Sequence, residues 1–166
     1  TLQIEVNRMP GKGKIELTGQ MGDVMKESAM IGMSYVRSIG KTSGILPEIF
    51  KENDFHIHIP QGAVPKDGPS AGITMATALF SAITETEVRS DLAMTGEVTL
   101  RGRVLAIGGL KEKLLAAKMA GLAEVLVPFE NRKDVEEIDR EIREGLLITY
   151  VKDMKEVLKH ALIVKA

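Results

Sequence analysis

The chain has 166 residues, 44% of them apolar and 27% charged, which suits one packed domain and excludes a disordered segment. Its 22 basic and 23 acidic side chains leave a net charge of -1, so no global field draws it to nucleic acid or to anionic lipid. The absence of cysteine removes disulfides, thiolate metal sites and a cysteine nucleophile, and fits a reducing compartment, of which the cytoplasm is the simplest choice.

Residues Leu2 to Leu17 alternate apolar and polar on either side of Met9-Pro10-Gly11-Lys12-Gly13, which predicts two strands and a turn. Asp23 caps a predicted helix to about Ile39, with an apolar face through Val24, Ile31 and Tyr35 and a stop at Gly40. Phe55 to Ile59 alternates strictly and reads as a strand ended by Pro60 and Gly62. After a loop from Gly62 to Gly68, Pro69 fits a first helical position, and Ser70 to Ile83 reads as a largely buried helix. That apolar run is well short of the ~20 residues needed to span a membrane. Leu92 to Thr95 is a short buried strand, and Glu97 to Leu100 with Val104 to Ile107 forms a hairpin around Gly102. Leu110 to Ala120 is a helix closed by Gly121, and Glu124 to Val127 is an apolar strand stopped by Pro128. A polar helix near Arg132 to Glu144, a strand from Leu146 to Val151 and a helix capped by Asp153 complete the chain. Helices and strands interleave throughout, so the expected class is α/β, bordering on α+β, with a mixed sheet and a single domain over 1–166. The start Thr1-Leu2-Gln3 has neither an initiator Met nor an apolar signal region, which is what a piece of a longer polypeptide would show.

Two places carry candidate chemistry. In Pro65-Lys66-Asp67-Gly68-Pro69-Ser70-Ala71-Gly72 a serine stands at the mouth of a predicted helix, where unpaired N–H groups and the positive dipole end favour an alkoxide. The N–H groups of Ser70 and Ala71 could also receive an oxyanion, an interaction worth roughly 3–4 kcal/mol per donor. The competing reading is a plain loop and cap, with Asp67 and Ser70 only satisfying helix donors. Gly68 to Gly72 also fits the G-x-S-x-G elbow, but the single downstream histidine, His160, lies in the last helix and makes a poor triad partner.

A serine needs a proton acceptor, and a lysine kept neutral by burial can serve. On a helical wheel from Leu110, Lys113 falls with Leu110, Leu114, Ala117 and Ala120, while Lys111 and Lys118 fall elsewhere. Against this, a lysine at a helix edge commonly packs its stem and reaches water with its ammonium. Neither reading is excluded by the wheel.

Taken together, these motifs resemble the protease domain of the bacterial Lon family. The resemblance rests on Pro65 to Gly72, on Met94-Thr95-Gly96-Glu97, on Gly108-Gly109-Leu110-Lys111-Glu112-Lys113 and on Pro128-Phe129-Glu130-Asn131, so it spans nearly the whole chain. It implies a Ser70–Lys113 dyad performing acyl transfer on peptide bonds, with Thr95 orienting the lysine amine. Asp67 and Glu97 lie within the matched motifs and are expected to cap and to pair. The implied fold is the two-layer, ribosomal-protein-like α/β type. The family further implies hexameric rings acting on unfolded protein or peptide substrates, with ATP and Mg acting in an ATPase module on the same polypeptide. No cofactor is expected in this domain itself. Gly40-Lys41-Thr42 hints at a phosphate loop, but Tyr35 stands where its upstream glycine belongs.

Three further readings remain to be weighed. His56 and His58 share one strand face, a spacing that two metal ligands could use, but with no third ligand nearby they read as a packed or solvated pair. A nucleotide- or phosphate-binding domain would use the loop before Ser70 as its cradle. A non-catalytic assembly domain would need neither Ser70 nor Lys113.

Overall fold

The computed structural model describes residues 2–60 and 67–164. Strands β1 (Glu5–Pro10) and β2 (Ile15–Thr18) form as their alternation predicts, but they do not pair with each other. Both flank β3 (Asn53–His58), β1 antiparallel and β2 parallel, in the order β1-β3-β2. The turn between them is held by Asp54, whose Oδ1 accepts the N–H groups of Lys12, Gly13 and Lys14 at 2.8–3.1 Å. Those donors hold the Asp54 carboxyl below the usual aspartate range.

Phe55, Ile57 and Ile59 point into the core with no exposure, while His56 and His58 occupy the opposite face. There the Thr18 hydroxyl meets His56 Nε2 at 2.8 Å and His58 Nδ1 at 2.6 Å. The histidines are thus a packed pair sharing one hydroxyl.

Helix α1 (Asp23–Ser38) lies in the connection from β2 to β3 and turns Met25, Ala29, Met33 and Val36 inward. Val24, expected on the buried face, is instead 45% exposed. Asp23 does not cap the helix; the N-cap position is Gly22, which has no side chain to accept a bond. Gly40-Lys41-Thr42 follow the helix, and the Gly40 and Ser43 N–H groups are spent on carbonyls of α1 and its end, so no phosphate cradle forms there. A short helix α2 (Pro47–Glu52), not expected from the sequence, then feeds β3.

Helix α3 (Gly72–Thr84) is apolar nearly all round because it is enclosed: α1, β1 and the last helix all pack on it. Gly32 on α1 lets the two helix backbones approach, since a Cβ there would already touch Ala76 at 3.4 Å. The loop expected from Gly62 to Gly68 lies, through Lys66, outside the described residues.

A second sheet is wholly parallel, in the order β4 (Leu92–Met94), β7 (Glu124–Pro128), β8 (Leu147–Val151). Between β4 and β7 come the small hairpin β5 (Glu97–Val98) and β6 (Val104–Leu105), then α4 (Leu110–Met119). After β7 the expected helix from Arg132 to Glu144 is broken. A 3-10 turn (Phe129–Asn131), α5 (Arg132–Glu136) and α6 (Arg140–Arg143) replace it, because Asp139 adopts an extended ψ of 134°. Helix α7 (Met154–Ala161) closes the chain, and Asp153 caps it as predicted, accepting the Glu156 N–H at 3.0 Å. The class is therefore mixed α/β.

Strand β7 is buried along its full length and separates two apolar clusters. Leu126 faces the larger one, with α1, α3 and β3, whereas Val125 and Val127 face the smaller one, with Leu110, Leu114, Ala117 and Val135. One charge is buried in this strand. Glu124, 5% exposed, accepts the Arg89 guanidinium at 2.6 Å and the Thr149 hydroxyl at 2.5 Å. Burial alone would raise its carboxyl, but the Thr149 and Arg89 bonds outweigh burial and hold it below the usual glutamate range.

Truncating Arg89→Ala leaves that carboxylate enclosed without its cation, and a lower midpoint in urea unfolding at neutral pH is expected. Because the folded carboxyl titrates low, the pair's contribution is intact above the ordinary glutamate range and is lost as pH falls through the depressed value.

Candidate active site

Ser70 does not lie in helix α3, as the continuous apolar run suggested, but in the turn that leads into it. The Gly72 N–H closes this turn on the Pro69 carbonyl at 3.1 Å, and α3 starts at Gly72 with Ala71 as its N-cap. Pro69 sets the turn rather than the first helical residue. The turn leaves the N–H groups of Ser70 and Ala71 without a hydrogen-bond partner among the described residues. Ser70 itself is half-buried.

Three supports fix this turn. Asp67 accepts the Met25 N–H at 2.9 Å and the Gly68 N–H at 2.8 Å. It is therefore a cap, but for α1 rather than for the helix it precedes, and it supplies what Gly22 lacks. The Met25 and Gly68 N–H groups, with Val24 behind them, hold the Asp67 carboxyl below the usual aspartate range. From beneath, buried Ser28 of α1 directs its hydroxyl to the Pro69 carbonyl at 3.4 Å. Alongside, Gly96 donates its N–H to the Ser70 carbonyl at 2.8 Å and accepts the Ile73 N–H at 3.1 Å. A larger residue at Gly96 would force its neighbours to shift: a Cβ would lie 2.8 Å from Val104 Cγ1 and 3.2 Å from Ile73 Cδ1.

Thr95 is 6% exposed, and its N–H is tied to Leu126 of β7 at 3.1 Å. Its hydroxyl makes a long contact of 3.4 Å to the Ser70 carbonyl. Thr95 is thus brought to the serine, and no hydrogen bond joins it to Lys113 among the described residues. Glu97 begins β5 half-buried and has no ion pair among the described residues, so the pairing expected of it does not form.

Lys113 stands in the first turn of α4 with its side chain folded back toward the helix start, the direction helical side chains favour. Its Nζ donates to the Gly108 carbonyl at 3.1 Å. Leu110, Leu114 and Ala117 are buried as the wheel predicted, Ala120 is exposed, and among the four charged residues of the helix only Lys113 is partly withdrawn from solvent. Burial pushes its amine below the usual lysine range, against the opposing pull of Glu112. The described geometry therefore presents a hydroxyl beside two unpaired N–H groups and an amine with weakened proton affinity. No hydrogen bond connects Ser70 Oγ and Lys113 Nζ among the described residues.

One residue that sequence reasoning passed over supports α4. Asn131, 1% exposed, accepts the Ile107 N–H at 2.9 Å and donates to the Ile107 carbonyl at 2.9 Å. Its only sequence signal was membership of the Pro128 to Asn131 stretch, since a polar residue after Pro-Phe-Glu reads as loop.

Among the described residues, no helix is long and apolar enough to cross a membrane, and no three His, Cys, Asp or Glu side chains converge as a metal cage requires. The chain is similar to the Lon protease of Lachnoclostridium phytofermentans, 66% identical over 163 residues, which are 98% of this chain and 20% of that protein. It is also similar to the Lon protease of Clostridioides difficile, at 59% over 98% of the chain and 21% of the relative, and to Lon protease 1 of Bacillus subtilis, at 58% over the same shares. The chain spans about a fifth of the length of these curated relatives. The model of the Lon protease (S16) C-terminal proteolytic domain covers residues 1–164, and this chain belongs to that family.

Proposed function

We propose that this chain hydrolyses peptide bonds through Ser70 as nucleophile and Lys113 as general base. The observation that carries the reading is the Lys113 amine, half-buried in an otherwise solvated row of charges and lowered in proton affinity by that burial. A neutral amine has a free lone pair, and Ser70 sits in a turn with two N–H groups that have no partner among the described residues.

In the reaction, Lys113 Nζ leaves the Gly108 carbonyl and takes the Ser70 hydroxyl proton as Oγ attacks the scissile carbonyl. The Ser70 and Ala71 N–H groups stabilise the resulting oxyanion. The protonated amine then passes its proton to the leaving nitrogen as the C–N bond breaks; water, deprotonated by the same amine, attacks the acyl carbon, and as the C–Oγ bond breaks the amine returns that proton to Oγ. Thr95, Gly96 and Asp67 act by holding the serine turn in place. Among the described residues one carbonyl holds the amine, and that is the bond it gives up to accept the Ser70 proton.

Within the full-length protein the substrates are unfolded protein segments or peptides, bound in extended form. The 166 residues form one proteolytic unit of a homo-oligomer, a hexameric ring, in the cytoplasm. ATP and Mg act in a separate ATPase module.

In the full-length protein, Ser70→Ala and Lys113→Ala should each lower peptide hydrolysis by at least about a thousandfold while ATP hydrolysis continues. Near-normal peptide hydrolysis by Lys113→Ala at neutral pH would assign the base to another group. Since only the uncharged amine accepts a proton, kcat/KM should rise with pH and level off at a midpoint below the ordinary lysine range. A midpoint at the value of a free lysine would contradict the role given to burial.

A further inference from the structure

We propose that Asn131 is a positioning residue for Lys113, setting through its grip on Ile107 the direction in which Gly108 presents its carbonyl to the lysine amine. The inference rests on the dyad reading above.

The amide of Asn131 acts toward Ile107 as one rung of a strand would. Its Oδ1 takes the Ile107 N–H and its Nδ2 gives to the Ile107 carbonyl, both at 2.9 Å, with a further bond from Nδ2 to Asp134 at 2.8 Å. At 1% exposure it cannot trade these bonds for water. Glu130 adds a weaker contact to the Ala106 N–H at 3.4 Å.

Beyond Ile107, the chain entering α4 has little else to hold it. Gly108 and Gly109 are exposed, a Cβ at Gly108 would meet nothing within 4 Å, and one at Gly109 only Glu112 Oε2 at 3.8 Å. Packing therefore does not determine the orientation of this pair. It is fixed by hydrogen bonds at its ends: Asn131 on Ile107 upstream, and the first turn of α4 downstream, where the Lys113 N–H bonds the Gly109 carbonyl at 3.2 Å. The Lys113 amine bonds the carbonyl that lies between these anchors. Its position is referred, through a single peptide unit, to Asn131.

The charges around this segment are Glu112 and Lys111 on α4 itself, with Asp134, Glu137 and Asp139 across the shared open cleft of about 530 Å³. If the glycine pair loses its upstream anchor, the amine loses its fixed carbonyl acceptor and turns instead to water and to these carboxylates. Both favour its protonated form.

The test is kcat/KM against pH for a short unstructured peptide, measured on the full-length protein and its variants well below their unfolding temperatures. Asn131→Ala is expected to lower the rate about tenfold at neutral pH and to move the midpoint to higher pH, so that alkaline conditions restore much of the loss. Asn131→Asp keeps an acceptor for the Ile107 N–H but cannot donate to the carbonyl, and should shift the midpoint the same way should the alanine variant fail to fold. Val135→Ala, which opens a gap in the same small cluster, should lose stability and keep the midpoint. An unchanged midpoint in the folded Asn131 variants, or an equal shift in Val135→Ala, overturns the inference. Peptide hydrolysis that survives Lys113→Ala would instead remove the dyad reading, whereas a Lys113-dependent rate indifferent to Asn131 removes only this one.

Discussion

Two hydrogen bonds through one small residue join the second sheet to the turn that carries Ser70. Gly96 gives its N–H to the Ser70 carbonyl and takes the Ile73 N–H, so the end of β4 is stitched to the turn before α3 and to the first turn of α3 at once. The sheet is thereby put in register with the proposed nucleophile. Thr95, one residue earlier, is tied to Leu126 of β7, so the position of Ser70 is inherited from the most deeply buried strand of the second sheet. The arrangement works only because position 96 has no side chain, since the space a Cβ would need is filled by Val104 and Ile73.

Carboxylates organise the loops of this chain by accepting several backbone N–H groups each. Asp54 gathers three at the β1–β2 turn, and Asp67 caps α1 while bracing the turn that carries Ser70. Ionised oxygen makes the stronger acceptor, which is why both groups titrate low. Lys113 illustrates the opposite use of charge. Partial burial weakens its hold on a proton without stripping the amine of every acceptor, which is what the proposed alternation between base and acid requires. Full burial would leave a neutral amine unable to serve as the acid proposed for the leaving nitrogen.

Much of this was legible in the sequence because strict periods survive in it. The alternation of Phe55, Ile57 and Ile59, the wheel that placed Lys113 beside Leu110 and Leu114, and the cap at Asp153 all reflect interactions within a few residues. Long-range choices left no such mark. Nothing in Leu2 to Leu17 says that β1 and β2 will straddle β3 instead of pairing, and nothing near Asp23 says that its helix is capped from Asp67. The Arg132 to Glu144 stretch is rich enough in helix formers to read as one helix, yet the chain turns out at Asp139. At the site, the apolar run after Ser70 hid the turn at Pro69 to Ala71. Among the described residues the Thr95 hydroxyl makes a long contact to the serine's carbonyl, which no local period announces, and a buried amide such as Asn131 is indistinguishable from a loop residue until its neighbours are known.

The two sides of β7 divide the proposed dyad between them. Ser70 leads into a helix of the larger apolar cluster, whereas Lys113 rises from a helix of the smaller one, built from α4, α5 and α6 around a handful of residues. Compact sub-regions of that size commonly open at lower free energy than the whole molecule unfolds. A transient loosening of the minor cluster would carry the amine off while the hydroxyl, its turn and the enclosing helices stayed folded, so catalytic competence would fail well before the domain did.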